Sequence, residues 1–94
     1  MPLARVVTFE GVTTDRVEQL RRQIGEGERP EGIPATEIIL FYDADAEKAL
    51  TVLFFDTEED YKRGDATLSA MPTDDTPGTR TNVTKYDVAI RTTA

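Results

Sequence analysis

The chain has 94 residues, contains neither cysteine nor histidine, and carries 11 basic against 18 acidic side chains, for a net charge of -7. This composition excludes disulfides, thiolate catalysis, zinc sites of the usual Cys/His kind and histidine-based proton transfer. The acidic balance also argues against nucleic acid and anionic membranes as partners, since both require a basic surface.

The first third of the chain predicts a strand followed by a helix. The segment from Leu3 to Glu10 is rich in β-branched and aromatic residues, which is typical of a strand. A helix is predicted next, because capping side chains follow Gly11 and glycine returns at Gly25. Apolar residues recur in this helix at i, i+3 and i+7, namely at Val17, Leu20 and Ile24.

The middle of the chain predicts a β-hairpin, with strands from Ala35 to Asp43 and from Lys48 to Phe55. Both strands carry large apolar side chains on both faces, since successive residues of a strand point in opposite directions. In the first strand, Ile38, Leu40 and Tyr42 are predicted to point one way and Ile39 and Phe41 the other. In the second strand, Leu50, Val52 and Phe54 are predicted to oppose Ala49, Thr51, Leu53 and Phe55.

A second helix is predicted after this hairpin, opening with a capping box formed by Asp56 and Glu59 or by Thr57 and Asp60. Its outer side carries the i,i+4 pairs Glu58–Lys62 and Glu59–Arg63. Its buried side is predicted to comprise Tyr61, Leu68 and Met71, with Gly64 on the same stripe. Glycine costs about 1 kcal/mol in a helix, and it is tolerated there most readily where the helix closely approaches a sheet or where a side chain would fill a pocket.

The last element is predicted as an edge strand from Thr81 to Arg91, with Lys85, Asp87 and Arg91 on one face. The order βαββαβ then indicates an α+β fold over residues 1–94, a single ferredoxin-like two-layer sandwich. Its helices cover one face of the sheet, whereas the central strands are apolar on both. We therefore predict a homodimer joined through the open sheet face; the alternative is that the register is misjudged and this face is less apolar.

Three short stretches resemble the antibiotic-biosynthesis-monooxygenase-like proteins of the dimeric α/β-barrel group. They are Glu31-Gly32-Ile33-Pro34, Asp43-Ala44-Asp45 and Phe55-Asp56-Thr57-Glu58-Glu59-Asp60-Tyr61. Tyr61 matches the family's aromatic residue, whereas Phe55, Gly64 and Thr51 stand where the family places tryptophan, histidine and, in some oxygenases, asparagine. The resemblance implies a dimeric barrel with a cleft for a flat apolar molecule, and oxygenase chemistry that needs no metal or flavin. Haem-degrading members use the histidine that this chain lacks.

The candidate ligand-binding residues are Tyr61, Phe55, Thr51 and Phe9. The simpler interpretation of Phe55 and Phe9 is that they belong to the hydrophobic core, and that of Tyr61 is an amphipathic aromatic residue with its ring inside and its hydroxyl at the rim. Lys85, Asp87 and Arg91 could surround an anionic ligand with Arg5, but we expect them to be exposed or mutually paired edge charges. No metal or cofactor is predicted, since Asp43 and Asp45 lack the spacing of a calcium loop and fit a turn better.

Three functions remain open from the sequence. The first is a homodimeric protein that binds a small apolar molecule in a cleft between sheet and helices. The second is a cofactor-independent monooxygenase or isomerase acting on a polyketide- or quinone-like substrate, and the third is a non-catalytic interaction protein. The absence of a signal peptide or a long apolar run leads us to expect a cytoplasmic location.

Overall fold

The computed structural model describes residues 2–25, 33–70 and 77–92. The elements are β1 (Leu3–Glu10), α1 (Thr14–Gly25), β2 (Glu37–Asp43), β3 (Lys48–Phe55), α2 (Glu58–Ser69) and β4 (Thr79–Asp87). The four strands form one antiparallel sheet in the order β2-β3-β1-β4. This confirms the predicted α+β class and element order, and it is compatible with a small ferredoxin-like arrangement. No helix of the described ranges is long and apolar enough to cross a membrane.

The prediction of the last strand was wrong beyond Asp87. Asp87 pairs with Leu3, the first residue of β1, so the sheet offers β4 no further partner. The next residue, Val88, donates its backbone N–H to the carbonyl of Pro2 at 2.8 Å. Arg91 then forms an ion pair with Glu37 of β2. The chain therefore leaves β4, and the Arg91 side chain reaches β2 at the opposite edge of the sheet, away from the edge where it was expected.

The predicted bounds of β1 and β3 are confirmed, while β2 begins at Glu37 rather than at Ala35. Helix α2 is capped by Thr57, whose hydroxyl accepts the Asp60 backbone N–H at 3.1 Å, so Thr57 rather than Asp56 is the N-cap of the two predicted. Met71 and Glu31-Gly32 lie outside the described residues, and so does the side chain of Ile24.

The helices cover one face of the sheet with two hydrophobic clusters. The first joins α1 to the sheet and consists of Val7, Phe9, Val12, Val17 and Ala49, with Leu40 and Tyr42 packed against it. The second joins α2 to the sheet and consists of Leu3, Leu53, Phe55 and Tyr61, flanked by Ile33, Ala35, Ile38 and Leu68. Of the alternating sets predicted in the hairpin, one set of each strand lies under the helices, namely Ile38, Leu40 and Tyr42 of β2 with Ala49, Leu53 and Phe55 of β3.

The opposite face of the sheet is apolar as well, and we refer to it as the open face. Strand pairing aligns the members of this face, which are Ala4, Val6, Thr8, Ile39, Phe41, Leu50, Val52, Phe54, Asn82, Thr84 and Tyr86. Phe41 is 56% exposed and Tyr86 is 55% exposed. The Arg91 side chain also lies on the open face, with its guanidinium carbon 4.2 Å from the centre of the Phe54 ring. The predicted two-sided apolar sheet is confirmed.

Gly64 sets how closely α2 can approach the sheet. A Cβ atom at this position would lie 2.5 Å from Cε1 and 2.7 Å from Cζ of Phe55. Phe55 has no exposed surface, so its ring is held by its neighbours and has little room to move. Of the two explanations expected for a glycine on the buried stripe of this helix, close approach to the sheet is the one that the structure shows.

Replacing Gly64 with alanine should destabilise the protein. The helix propensity of alanine favours the change by about 1 kcal/mol, but overpacking against a fixed ring costs roughly 1–3 kcal/mol. We expect a net loss measurable as a lower midpoint of urea unfolding. In a Phe55→Leu background, the same Gly64→Ala change should be less harmful or stabilising. An equal effect of Gly64→Ala in both backgrounds would show that the ring contact is not the constraint.

Candidate functional site

The four candidate ligand-binding residues lie on the helix-covered side of the sheet, but not in one place. Phe55 and Tyr61 meet edge to face, with ring centroids 5.5 Å apart and an interplanar angle of 71°. Phe9 belongs to the other hydrophobic cluster, under α1. Thr51 is half-buried in β3, paired with Val7. The structure therefore brings Phe55 and Tyr61 together and leaves Phe9 and Thr51 further along the sheet.

Phe55 and Phe9 are core side chains in this structure. Phe55 is fully buried, and Phe9 is 6% exposed. A ligand can contact such rings only if their present neighbours move. Their participation in ligand binding therefore stays a prediction, whereas their packing role is evident.

Tyr61 has the most polar surroundings of the four. Burial raises the pKa of its hydroxyl above the ordinary tyrosine value, and the nearby Asp65 carboxylate raises the pKa further. Arg5 and Lys85 act in the opposite direction because each stabilises the phenolate. The net effect keeps the Tyr61 hydroxyl protonated at neutral pH, so that it can donate a hydrogen bond.

Arg5 is the residue whose position the sequence reading missed. It was expected to be an exposed or paired edge charge, but it is only 2% exposed. The cause is strand alternation, since Arg5 lies between Leu3 and Val7 on the face that the helices cover. Its Nε donates to Oδ1 of Asp65 in α2 at 2.9 Å. The alternation of Leu3, Val7 and Phe9 was the available signal for an inward-facing arginine.

The guanidinium of Arg5 is incompletely paired. Its Nη2 atom is buried and has no hydrogen-bond partner among the residues that the structure describes. Buried polar groups nearly always have a partner, and the exceptions call for an explanation. The guanidinium therefore retains one donor that a further acceptor oxygen would satisfy.

Lys85 brings a second cation to the same region. It pairs in register with Arg5 across β1 and β4. Its Nζ lies 5.1 Å from the centroid of the Tyr61 ring. Lys85 also donates a hydrogen bond to Glu58, which raises the pKa of Lys85 and lowers the pKa of Glu58.

Glu58, which was predicted to pair with Lys62 along the helix, therefore bonds to Lys85 of β4 instead. The predicted Glu59–Arg63 ion pair does form, at 3.5 Å.

We refer to Arg5, Glu58, Tyr61, Asp65 and Lys85 as the Arg5 cluster. It combines two cations and a protonated phenol with two carboxylates, and it borders the second hydrophobic cluster through Tyr61. Its donors are suited to holding an anionic oxygen. Arg91, which was considered part of this group, lies beside Glu37 and Phe54 instead.

Metal binding has no candidate site in the described part of the chain, where no three acidic side chains come together as ligands. The Asp43 carboxylate accepts a hydrogen bond from the Ala46 backbone N–H at 3.3 Å. This is the turn-stabilising role that short polar side chains commonly have.

Comparisons with protein-family models, with curated proteins and with solved structures find no match for this chain. The resemblance to the monooxygenase-like group therefore stays a prediction.

The elevated pKa of Tyr61 should be visible in an alkaline titration followed by phenolate absorbance. The difference between wild type and Tyr61→Phe should titrate above the ordinary tyrosine value, since burial favours the neutral form. The pKa of Tyr61 is higher in the folded than in the unfolded state. Its contribution to the stability of the fold is therefore complete below the unfolded-state pKa and is lost as the pH rises through the folded-state pKa. A difference titrating at the pKa seen in urea-unfolded protein would contradict this prediction.

Proposed function

We propose that the chain forms a homodimer through its open face and binds a small molecule between the sheet and α2. The open face is the observation that carries this proposal. An exposed apolar surface of this kind, which here lies mainly on β2 and β3 with Val6 of β1 beside them, is unusual on a monomer and commonly marks an interface. Two such sheets packed face to face would form the dimeric α/β barrel that the sequence resemblance implies.

The size of the chain supports a second copy as the occupant of this face. A monomer of this length buries only roughly 60–65% of the surface that its unfolded chain exposes. Val6, Val52 and Ile39 lie side by side in register and are only half-buried. Covering them with an identical sheet would remove this apolar surface from water, which stabilises a complex by about 25 cal/mol per Å².

The distribution of charge on the open face also fits self-association. Glu10, Lys48 and Asp43 are aligned in one row at one end of the sheet, where Lys48 and Glu10 are 3.6 Å apart. Glu37 and its partner Arg91 lie at the other end. The centre of the face carries no charged strand residue. An apolar centre with charges at its rim is the usual arrangement of a protein–protein interface.

A single charge placed on the open face should abolish the dimer. Phe41→Lys places an ammonium group on an edge strand at a side chain that is 56% exposed. Val83→Lys is the matched control, because Val83 is 39% exposed, lies on the other edge strand and pairs with the inward-facing Val7. We expect sedimentation equilibrium to give twice the chain mass for wild type and Val83→Lys, and one chain mass for Phe41→Lys.

Thermal unfolding of both variants distinguishes loss of the dimer from loss of the fold. A wild-type mass of one chain at micromolar concentration would contradict the homodimer. The open face would then be available to a different protein, which is the interaction-protein alternative.

A second candidate function is a cofactor-independent monooxygenase or isomerase acting on a polyketide- or quinone-like substrate. The protonated hydroxyl of Tyr61, flanked by Arg5 and Lys85, favours it. In such a reaction the hydroxyl would donate a hydrogen bond to a substrate oxygen, and the two cations would stabilise negative charge developing there. Molecular oxygen would be the oxidant in the monooxygenase case.

This candidate predicts that Tyr61→Phe lowers oxygen uptake with an anthrone-type substrate by about 10²-fold, the usual contribution of a positioned acid. Tyr86→Phe removes a hydroxyl from the opposite face of the sheet and should leave the rate unchanged. Oxygen consumption in a Clark-type electrode measures both. An unchanged rate in Tyr61→Phe would exclude this residue from the mechanism.

A further inference from the structure

The burial of Arg5 is chemically incomplete. Arg5 is 2% exposed, yet within the described part of the chain its carboxylate contact joins Nε to a single oxygen of Asp65. Arginine commonly binds a carboxylate through two parallel hydrogen bonds, and that arrangement would also engage Nη2. Here Nη2 is buried without a partner. A buried cation with a free donor is costly to the fold unless another group completes its pairing.

Lys85 provides a second positive group that can be released to a ligand. It lies beside Arg5 on the neighbouring strand and near the Tyr61 ring. Its ion pair with Glu58 is at the surface, with the Lys85 and Glu58 side chains 42% and 51% exposed. Such surface pairs contribute little, so Lys85 can exchange Glu58 for a ligand oxygen. Acidic residues more than about 8 Å from the bound anion oppose it only weakly, because salt at physiological ionic strength screens charges beyond that distance.

The surroundings of these donors define the rest of the ligand. Tyr61 belongs to the hydrophobic cluster that also contains Leu3, Leu53 and Phe55, and Leu68 packs against its border. A ligand whose anionic group reaches Arg5 therefore meets an aromatic ring and aliphatic side chains next to it. This combination suits a molecule with a carboxylate at one end and an apolar, flat body.

We propose that the Arg5 cluster binds the carboxylate of a small aromatic or otherwise apolar acid, with Arg5 Nη2 and Lys85 Nζ as donors. The inference rests on the small-molecule part of the proposed function and specifies the class of its ligand. It does not depend on the dimer, because all members of the cluster belong to one chain.

Benzoate is the probe for this site, and benzamide is its neutral analogue of the same shape. Titrations at constant ionic strength are followed by the Nε–Hε signals of arginine in a ¹⁵N NMR spectrum, with the Arg5 signal identified by its loss in Arg5→Lys. We expect benzoate to shift the Arg5 signal in a saturable manner and benzamide to leave it unchanged. The same benzoate titration should raise the unfolding temperature of wild type.

Two lysine variants separate the site from general charge effects. Lys85→Met should weaken benzoate binding about two- to five-fold, as expected for a partly exposed charge. Lys48→Met removes a lysine of similar exposure from the Glu10 ion pair on the other side of the sheet, and it should leave binding unchanged. Arg5→Met should weaken binding by about tenfold or more. If Arg5→Met does not fold, the benzoate titrations of wild type, Lys85→Met and Lys48→Met still test the inference.

The possible failures are distinguishable. An Arg5 signal that does not respond to benzoate would overturn the inference and indicate that Asp65 or water completes the guanidinium pairing. Equal binding of benzoate and benzamide would overturn the carboxylate preference while leaving the proposed apolar ligand in place. Repeating the titration on Phe41→Lys separates the two proposals, since loss of the dimer should not change benzoate binding.

Discussion

The contact between Gly64 and Phe55 fixes the position of α2, on which the candidate site depends. The absence of a Cβ at Gly64 lets the helix approach the fully buried Phe55 ring. The same helix carries Tyr61, which meets Phe55 edge to face, and Asp65, which reaches Arg5 on β1. A helix held further from the sheet would lengthen both contacts. One missing methyl group thus couples the packing of the core to the geometry of its polar cluster.

The second constraint is a sheet that is apolar on both faces. One face is covered by α1 and α2 of the same chain, through hydrophobic clusters that contain Val7 and Phe55. The other face retains exposed rings at Phe41 and Tyr86. Since apolar surface of this extent is costly in water, the open face is where we place a second copy. The candidate ligand site lies on the opposite side of the sheet, so the two proposed roles occupy separate surfaces.

Local patterns in the sequence were sufficient for most of the fold. The β-branched run predicted β1, and the alternating sets predicted in β2 and β3 are confirmed because side-chain alternation depends only on backbone geometry. The same rule would have placed Arg5 under the helices, but its charge led us to treat it as an edge residue. The end of β4 was misplaced because strand length depends on a partner, and β1 offers none beyond Leu3.

The sequence by itself determined the α+β class, the element order, the two apolar faces and the close approach at Gly64, since each follows from periodicity or from the stereochemistry of one residue type. The tertiary structure alone decided which charges meet. Arg5, Asp65 and Lys85 are distant in sequence, and their juxtaposition depends on β1 lying next to β4 beneath α2. It also decided that Arg91 crosses to Glu37 instead of joining them. Pairing between distant charges has no local signature, because it is fixed by the packing of whole elements rather than by neighbours along the chain.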